Sequence, residues 1–464
     1  MTHDSQLDVW IGEQLAGHLR TTDGRQLEFG YDTAYREDAG STALSLSLPL
    51  TRQAHRPEIV SNYFEALLPE QGFAHEQLAL EAGVSRANIF GLLAHVGRDL
   101  PGAVCVVEAG EGLPTSGSVT RLSESDLASY VAELRQAAAT GALPLSEHGQ
   151  WSLAGAQAKV ALSYVDGQWG IPHGATPTTH IVKPAIPGFE DFDAYEVICL
   201  RAARRLGLSV ADAWLQPLSD GTHAAVVRRY DRVPTADGTV RRIHQEDMGQ
   251  ALGYPAWQKY ERDGGPSVSA VGALLARLPV RFRETSAIRL LEALAFNLAI
   301  AGTDGHARNF SLLISGADAV LAPLYDLNSA LPYTRPWGRR FDSVRKLHSS
   351  FVLGTTDAFT RVTPEDWRTT AECLGISADL AFDRMYSIIS GVSDALEESV
   401  AEVRHESGLA VNFDWAGALG EYHESLGLVT RRRAVDAIRS APVMDVPGPR
   451  GLRDEIEDER RFDS

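Results

Sequence analysis

Lysine is nearly missing from this sequence: of 43 Lys and Arg residues only four, Lys159, Lys183, Lys259 and Lys346, are lysine. Where arginine serves almost everywhere, a retained lysine marks a position that needs a compact ammonium and has no room for a planar guanidinium. Cysteine is scarce as well. Cys105, Cys199 and Cys373 are odd in number, far apart and outside any metal-ligand spacing, which excludes a disulfide framework and a zinc site. They read as small buried hydrophobes. No stretch approaches the roughly 20 uncharged apolar residues of a membrane span, and the opening MTHDSQLDVW lacks the basic flank and apolar core of a signal peptide. The chain therefore reads as cytoplasmic, with no membrane partner. Positive charge is in deficit too, with 43 basic against 61 acidic residues and a formal charge of −18. Broad phosphate-driven nucleic-acid binding is excluded, because it needs a basic surface to release counterions. Contact with DNA is left to a local patch or to a partner.

What is present is enough for a folded protein of several cores: 464 residues, 44% hydrophobic and 22% charged. Residues 1–110 alternate short β-like runs (Val9 to Ile11, Leu44 to Leu50) with helical stretches (Glu58 to Leu68, His75 to Leu80), the pattern of an N-terminal α+β subdomain. A linker-like AGEGLPTSGS follows. Residues 119–262 are again mixed. A helix is expected over Ser123 to Ala139, and a hairpin turns at Asp166-Gly167. A strand over His180 to Lys183 precedes a helix near Tyr195 to Leu206, and a further strand runs from about Ala224 to Arg229. Across 263–445 the apolar residues recur at helical spacing, as in Ile288, Leu291, Ala295 and Leu298. The tail 446–464 is charged and reads as mobile.

The sharpest chemical signal follows the apolar helix ending at Ala301: Thr303-Asp304-Gly305-His306-Ala307-Arg308-Asn309. Kinases place an Asn five positions after the Asp that accepts the substrate hydroxyl proton, and that Asn binds magnesium. A strand, a turn at Gly316 and a second strand then lead to Asp326, where a second metal-binding Asp is expected. Two hard oxygen ligands beside a triphosphate suit Mg²⁺. On spacing alone the alternative is an Asp304 that caps a turn and an Asp326 that ends a strand. Upstream, the turn around Ala154, Gly155 and Ala156, with Gln157 and Lys159, is small enough for backbone N–H groups to lie against phosphates. A plain hairpin turn is the competing reading. Lys183 ends its strand within reach of α- and β-phosphates, and Glu196 is placed to fix it by an ion pair. A surface Lys and a surface Glu is the bland alternative.

Together the runs WSLAGAQAKVAL, THIVKP, VVRRYDR (226–232), FNLAIAGTDGHARNFSLL (296–313) and LAPLYDL (321–327) resemble HipA-type kinases in order and approximate spacing. The N-terminal runs LSLSLPL, NYFEALLPE and GRDLPGA are similar to that family as well. The resemblance implies a protein-kinase-like two-lobed α+β fold, with a mixed nucleotide-binding lobe and a mainly helical catalytic lobe. It implies ATP and Mg²⁺, with Asp304 as base and Asn309 and Asp326 as magnesium ligands. Lys183 would meet the ATP phosphates, and Val227, Arg228, Arg229 and Tyr230 would form the adenine hinge. His306 would pack in the catalytic loop beside the nucleotide. Ser152 matches the serine that these kinases autophosphorylate; a phosphate there, carrying about −1.5 to −2 charge, would repel the nucleotide. A helix-turn-helix antitoxin of HipB type, DNA contact chiefly through it, and a protein substrate such as an aminoacyl-tRNA synthetase are the implied partners. Arg308 stands where the family often has Lys. A nucleotide-binding corepressor without transfer and a small-molecule phosphotransferase are the other function classes.

Overall fold

A computed structural model describes residues 5–21, 26–140, 157–236, 238–338, 340–409 and 411–426. The N-terminal part is a four-stranded sheet in the order β3-β2-β1-β4, from β1 (Ser5–Ile11), β2 (Gln14–Thr21), β3 (Leu27–Tyr31) and β4 (Val104–Glu108). Helices α1 (Thr33–Glu37), α2 (Pro57–Glu65), α3 (Phe73–Glu81) and α4 (Ile89–Val96) complete it. Leu7, Val9, Leu19, Val60, Phe64 and Leu93 are among the residues that close its core.

The expected strand over Leu44 to Leu50 is a correction: it is irregular, with a single bridge between Ser45 and Leu48. Its polar groups are met by side chains, as Leu46 N–H donates to Glu246 Oε1 at 2.8 Å and Leu44 N–H to the Tyr31 hydroxyl at 2.7 Å. The alternation in sequence was real but serves another purpose. Leu44 and Leu48 enter the N-terminal core, whereas Leu46 packs against the large core of the C-terminal half.

The second part carries a six-stranded sheet in the order β5-β7-β6-β8-β10-β9: β5 (Gly117–Arg121), β6 (Val160–Val165), β7 (Gln168–Gly174), β8 (His180–Lys183), β9 (Ala213–Pro217) and β10 (His223–Arg228). Helix α5 (Glu124–Thr140) packs on one face through Leu127 and Val131, and α6 (Phe192–Arg205) lies against β9 and β10. The β6–β7 hairpin turns at Asp166-Gly167 with φ of 51° and 78°, the left-handed pair of a type I′ turn that matches strand twist.

A short hairpin of β11 (Arg232–Pro234) and β12 (Val240–Arg242) leads into the C-terminal half. That half is not helical throughout. β13 (His244–Asp247) pairs with β14 (Ser311–Ser315), which pairs with β15 (Asp318–Leu321), and β16 (His348–Leu353) with β17 (Thr356–Ala358). Around them stand α7 (Met248–Leu252), α8 (Val268–Leu275), α9 (Val280–Ile300), α10 (Pro364–Cys373), α11 (Ala378–Ser407) and α12 (Trp415–Ser425). Nearly the whole second half of α9, from Leu290 to Ile300, is buried, so it forms the axis of the largest core. No helix among the described residues is long and apolar enough to cross a membrane.

Candidate active site

A cleft of about 420 Å³ opens where the three parts meet, lined by Lys159, Lys183, Glu196, Val227 to Asp231, Lys259, Asp304, His306, Asn309 and Asp326, and by Ala66 and Glu70 from the N-terminal part. It brings together Lys159, Lys183, Glu196, Asp304, His306, Asn309, Asp326 and the run 227–230, all named from sequence. Ser152, Ala154, Gly155 and Ala156 lie outside the described residues. Gln157 also lines the cleft, and its amide donates to Pro184 O at 3.3 Å.

The loop that carries Asp304 is built from α9. Ala301 adopts φ 55°, and Gly302 N–H donates to Asn297 O at 2.7 Å, so the helix stops abruptly and throws residues 303–306 into the cleft. The Asn297 side chain lies under the loop: a Cβ at Gly305 would stand 2.3 Å from its Nδ2. Only glycine allows that approach. A 3₁₀ turn, Ala307–Asn309, then brings Asn309 back, and its Nδ2 donates to Asp304 O at 2.6 Å. The amide oxygen is thereby left as an acceptor in the cleft, the orientation a hard cation needs.

Asp326 reaches the same cleft from the other side. Leu324 pairs across the halves, accepting from Ala211 N–H and donating to Ser209 O, both at 2.8 Å, and Asp326 itself takes φ 53°. A non-glycine residue held at positive φ is uncommon and costs about 1–3 kcal/mol, which the surrounding bonds must offset. The Lys183 ammonium, only 5% exposed, is bonded to Asp326 Oδ1 and lies 2.7 Å from Glu196 Oε1. Burial works against its charge, but Asp326 and Glu196 outweigh that and hold it above the ordinary lysine value. Burial pushes Glu196 upward, while Lys183 and Lys159 overcome burial and keep Asp326 below the usual carboxylate range. Lys159 is the weaker ammonium: burial brings it down to about 8 against the pull of Asp326. Asn309 and Asp326 thus form an all-oxygen donor pair that fits Mg²⁺ and would not select zinc.

The Asp304 carboxylate faces the open cleft, with 66% of its side chain accessible, and accepts from the Tyr260 hydroxyl at 2.6 Å. Crowding by the cleft walls raises it above the ordinary aspartate value against that hydrogen bond. His306 is buried and driven down to about 3 by burial, then by the charge of Lys259, so it is a neutral ring. It packs in the loop as a neutral ring, edge-on to Tyr260 at 5.1 Å.

At the hinge, the Arg229 side chain turns away from the cleft into a buried cluster. It donates to Asp231 Oδ2 at 2.8 Å, Thr178 Oγ1 at 2.7 Å and Leu100 O at 3.1 Å. Only its backbone is available to a ligand. Arg308 is buried in bonds of its own, to Asp247 Oδ2 at 3.0 Å and Ala66 O at 2.9 Å. It clamps the N-terminal part to the loop that carries Asp304 and Asn309. Sequence reading gave no role to Glu70, Tyr260, Asn297 or Lys259. The scarcity of lysine was the available signal for the last: three of the four lysines line this cleft, and Lys346 is a surface residue paired with Asp342 at 3.1 Å.

The chain matches two family models, a HipA N-terminal domain over residues 7–107 and a HipA-like C-terminal domain over residues 151–400. It is 34% identical over 410 residues to "Putative kinase Y4mE" of Sinorhizobium fredii, covering 86% of this chain and 92% of that protein. It is 27% identical over 343 residues to the "Serine/threonine-protein kinase toxin HipA" of Shewanella oneidensis, covering 70% and 76% respectively. Among solved structures, a chain of the Shewanella oneidensis toxin–antitoxin complex of HipA, HipB and operator DNA superposes with a TM-score of 0.75 at 22% identity. That match covers 94% of this chain and all of the other, and it places the two in one fold.

Proposed function

This chain belongs to the HipA family, and from that premise and the cleft geometry we propose that it is an ATP- and Mg²⁺-dependent serine/threonine protein kinase. One observation carries the reading: Asp304, Asn309, Asp326 and the buried Lys183–Glu196 pair converge on a single cleft beside a hinge strand. The backbone of Val227 to Tyr230 would hold the adenine. Lys183, held by Glu196, would meet the phosphates together with Gln157 and Lys159. Asn309 and Asp326 would hold magnesium, which would neutralise charge on the phosphates. Asp304 accepts the proton of the attacking hydroxyl. The open, solvent-facing side of Asp304 suits a protein hydroxyl better than an enclosed small molecule.

By family, the acceptors include a protein target, such as an aminoacyl-tRNA synthetase, and Ser152, whose phosphorylation would expel the nucleotide and switch the kinase off. The acidic surface fits a cytoplasmic protein that meets DNA through a HipB-like antitoxin and not by broad direct contact.

The test is incubation of purified protein with radiolabelled ATP and Mg²⁺ beside Asp304→Ala and Asp326→Ala variants, followed by mapping of the labelled residue. Wild type should take up label at Ser152 and both variants should take up none. Nucleotide binding without transfer in the wild type would overturn the kinase reading in favour of a nucleotide-binding corepressor.

A further inference from the structure

A polar chain runs from the N-terminal part to the catalytic base, and it includes residues the mechanism above does not use. Glu70, in the loop that follows α2, accepts from Lys259 Nζ at 2.8 and 3.0 Å, and both side chains are less than one-fifth exposed. Arg308 Nη1 holds Glu70 from the other side at 3.8 Å. The next residue, Tyr260, donates its hydroxyl to Asp304 Oδ1 at 2.6 Å. Its carbonyl accepts from Gly265 N–H at 2.9 Å and Asp263 N–H at 3.0 Å, and its ring is wedged by His306. Burial, then the Asp304 charge, raise the phenol well above its ordinary value, so it remains a donor.

A carboxylate two-thirds exposed in an open cleft would turn freely between orientations. One charge-assisted O–H···O⁻ bond to a rigid phenol fixes Oδ1, and among the described residues nothing hydrogen-bonds Oδ2. The substrate hydroxyl can deliver its proton there while its oxygen bonds the γ-phosphorus. The bond from that phosphorus to the bridging oxygen breaks, and ADP leaves. Misplacing a reacting group by about 1 Å costs on the order of 100-fold in rate. Resting on the reading of Asp304 as the base, we propose that Tyr260 is its positioning residue, and that Glu70, through Lys259, makes transfer depend on the N-terminal part of the chain.

The experiment compares full-length wild type, Asp304→Ala, Tyr260→Phe, Glu70→Gln, Lys259→Met and Lys259→Arg. Rates of self-labelling and ADP release are measured at saturating Mg·ATP, with nucleotide Kd by calorimetry, and Lys346→Ala serves as a silent control. Tyr260→Phe should slow transfer by about 10- to 100-fold while Kd moves by less than about twofold, a loss in kcat alone. Glu70→Gln and Lys259→Met should fall in the same direction, and Lys259→Arg, which keeps the charge but not its compact shape, should fall less than Lys259→Met. The Glu70→Gln/Tyr260→Phe double variant should be no slower than Tyr260→Phe alone, because both act through one contact. If Asp304→Ala is dead but Tyr260→Phe and Glu70→Gln run at the wild-type rate, the positioning role is overturned and the base reading stands. A wild type no faster than Asp304→Ala overturns the base reading itself.

Discussion

Lys183 sits between two carboxylates with 5% of its side chain exposed, a space made for three donors on one nitrogen. A guanidinium there would set five donors in a plane and push against Glu196, which is itself fully buried. Lys183→Arg should therefore be nearly as damaging as Lys183→Met, with label transfer lowered by on the order of 100-fold. Lys346→Arg, on the surface, should change nothing. A filter assay of transfer with a thermal melt for each variant checks this, and an active Lys183→Arg would remove the argument from lysine scarcity. The Asp304–Asn309 spacing and the strand-ending Lys183 are local patterns, so sequence alone exposed them. Tyr260 and Glu70 lie 44 and 234 positions from Asp304, and no local pattern announces a partner that only folding supplies.

Elements were readable where one period governs a whole segment. The hairpin at Asp166-Gly167, the strand His180–Lys183 and helix α6 follow from turn chemistry and apolar periodicity. Strands β14 and β15 and the turn between them were readable as well, but β13 and its place beside β14 were not, because β13 is four residues long and its partner lies more than 60 positions away. The Leu44 to Leu50 run misled for the opposite reason: its alternation divides two cores and not two faces of a strand. Helix α10 shows what a local signal does when the fold reinforces it. Its cap Thr363 and N3 residue Asp366 form a reciprocal capping box, and Asp366 also accepts from Thr355 N–H at 2.9 Å and Thr355 Oγ1 at 2.6 Å. Helix and hairpin thus share one carboxylate. Burial opposes its charge, but the hydrogen bonds from Thr355 and Thr363 prevail and hold it at about 2. Asp366→Ala should cost about 2 kcal/mol in urea unfolding. The folded value lies below the unfolded one, so this stability is fully present above about pH 4 and is lost as pH falls through about 2. The gap in melting temperature between wild type and Asp366→Asn should narrow over that window, and a gap independent of pH would show that the charge is not what matters.

At the scale of the molecule, the N-terminal part is fastened to the hinge by charges that water does not reach. Asp99, in the loop after α4, accepts from Arg232 Nη2 at 2.8 Å and from Thr178 N–H and Oγ1 at 2.9 and 2.6 Å. Arg242 and Arg229 stand at 3.5 and 3.8 Å from the same carboxylate. Beside it, Gly102 N–H donates to Asp231 Oδ2 at 2.7 Å. A Cβ on Gly102 would meet Gln245 N at 2.8 Å, and its φ is +76°, so this close seating requires glycine. Burial disfavours the Asp99 charge, yet the arginines hold it below the ordinary aspartate value. Such a cluster is a poor source of net stability when intact, because desolvation cancels much of the attraction, but removing one member strands the others. Asp99→Ala leaves Arg229 and Arg232, each 4% exposed, short of a counter-charge, and should cost about 3–5 kcal/mol. The exposed pair Arg86–Glu76 offers the contrast, since Arg86→Ala should cost less than about 1 kcal/mol. Because Arg229 and Asp231 belong to the hinge strand's end, the loss at Asp99 should also weaken nucleotide binding, whereas Arg86→Ala should leave it intact. Urea midpoints and nucleotide Kd on both variants decide the matter: equal midpoints would mean that the buried cluster is no more than a surface pair, and an unchanged Kd in Asp99→Ala would detach the N-terminal part from the hinge.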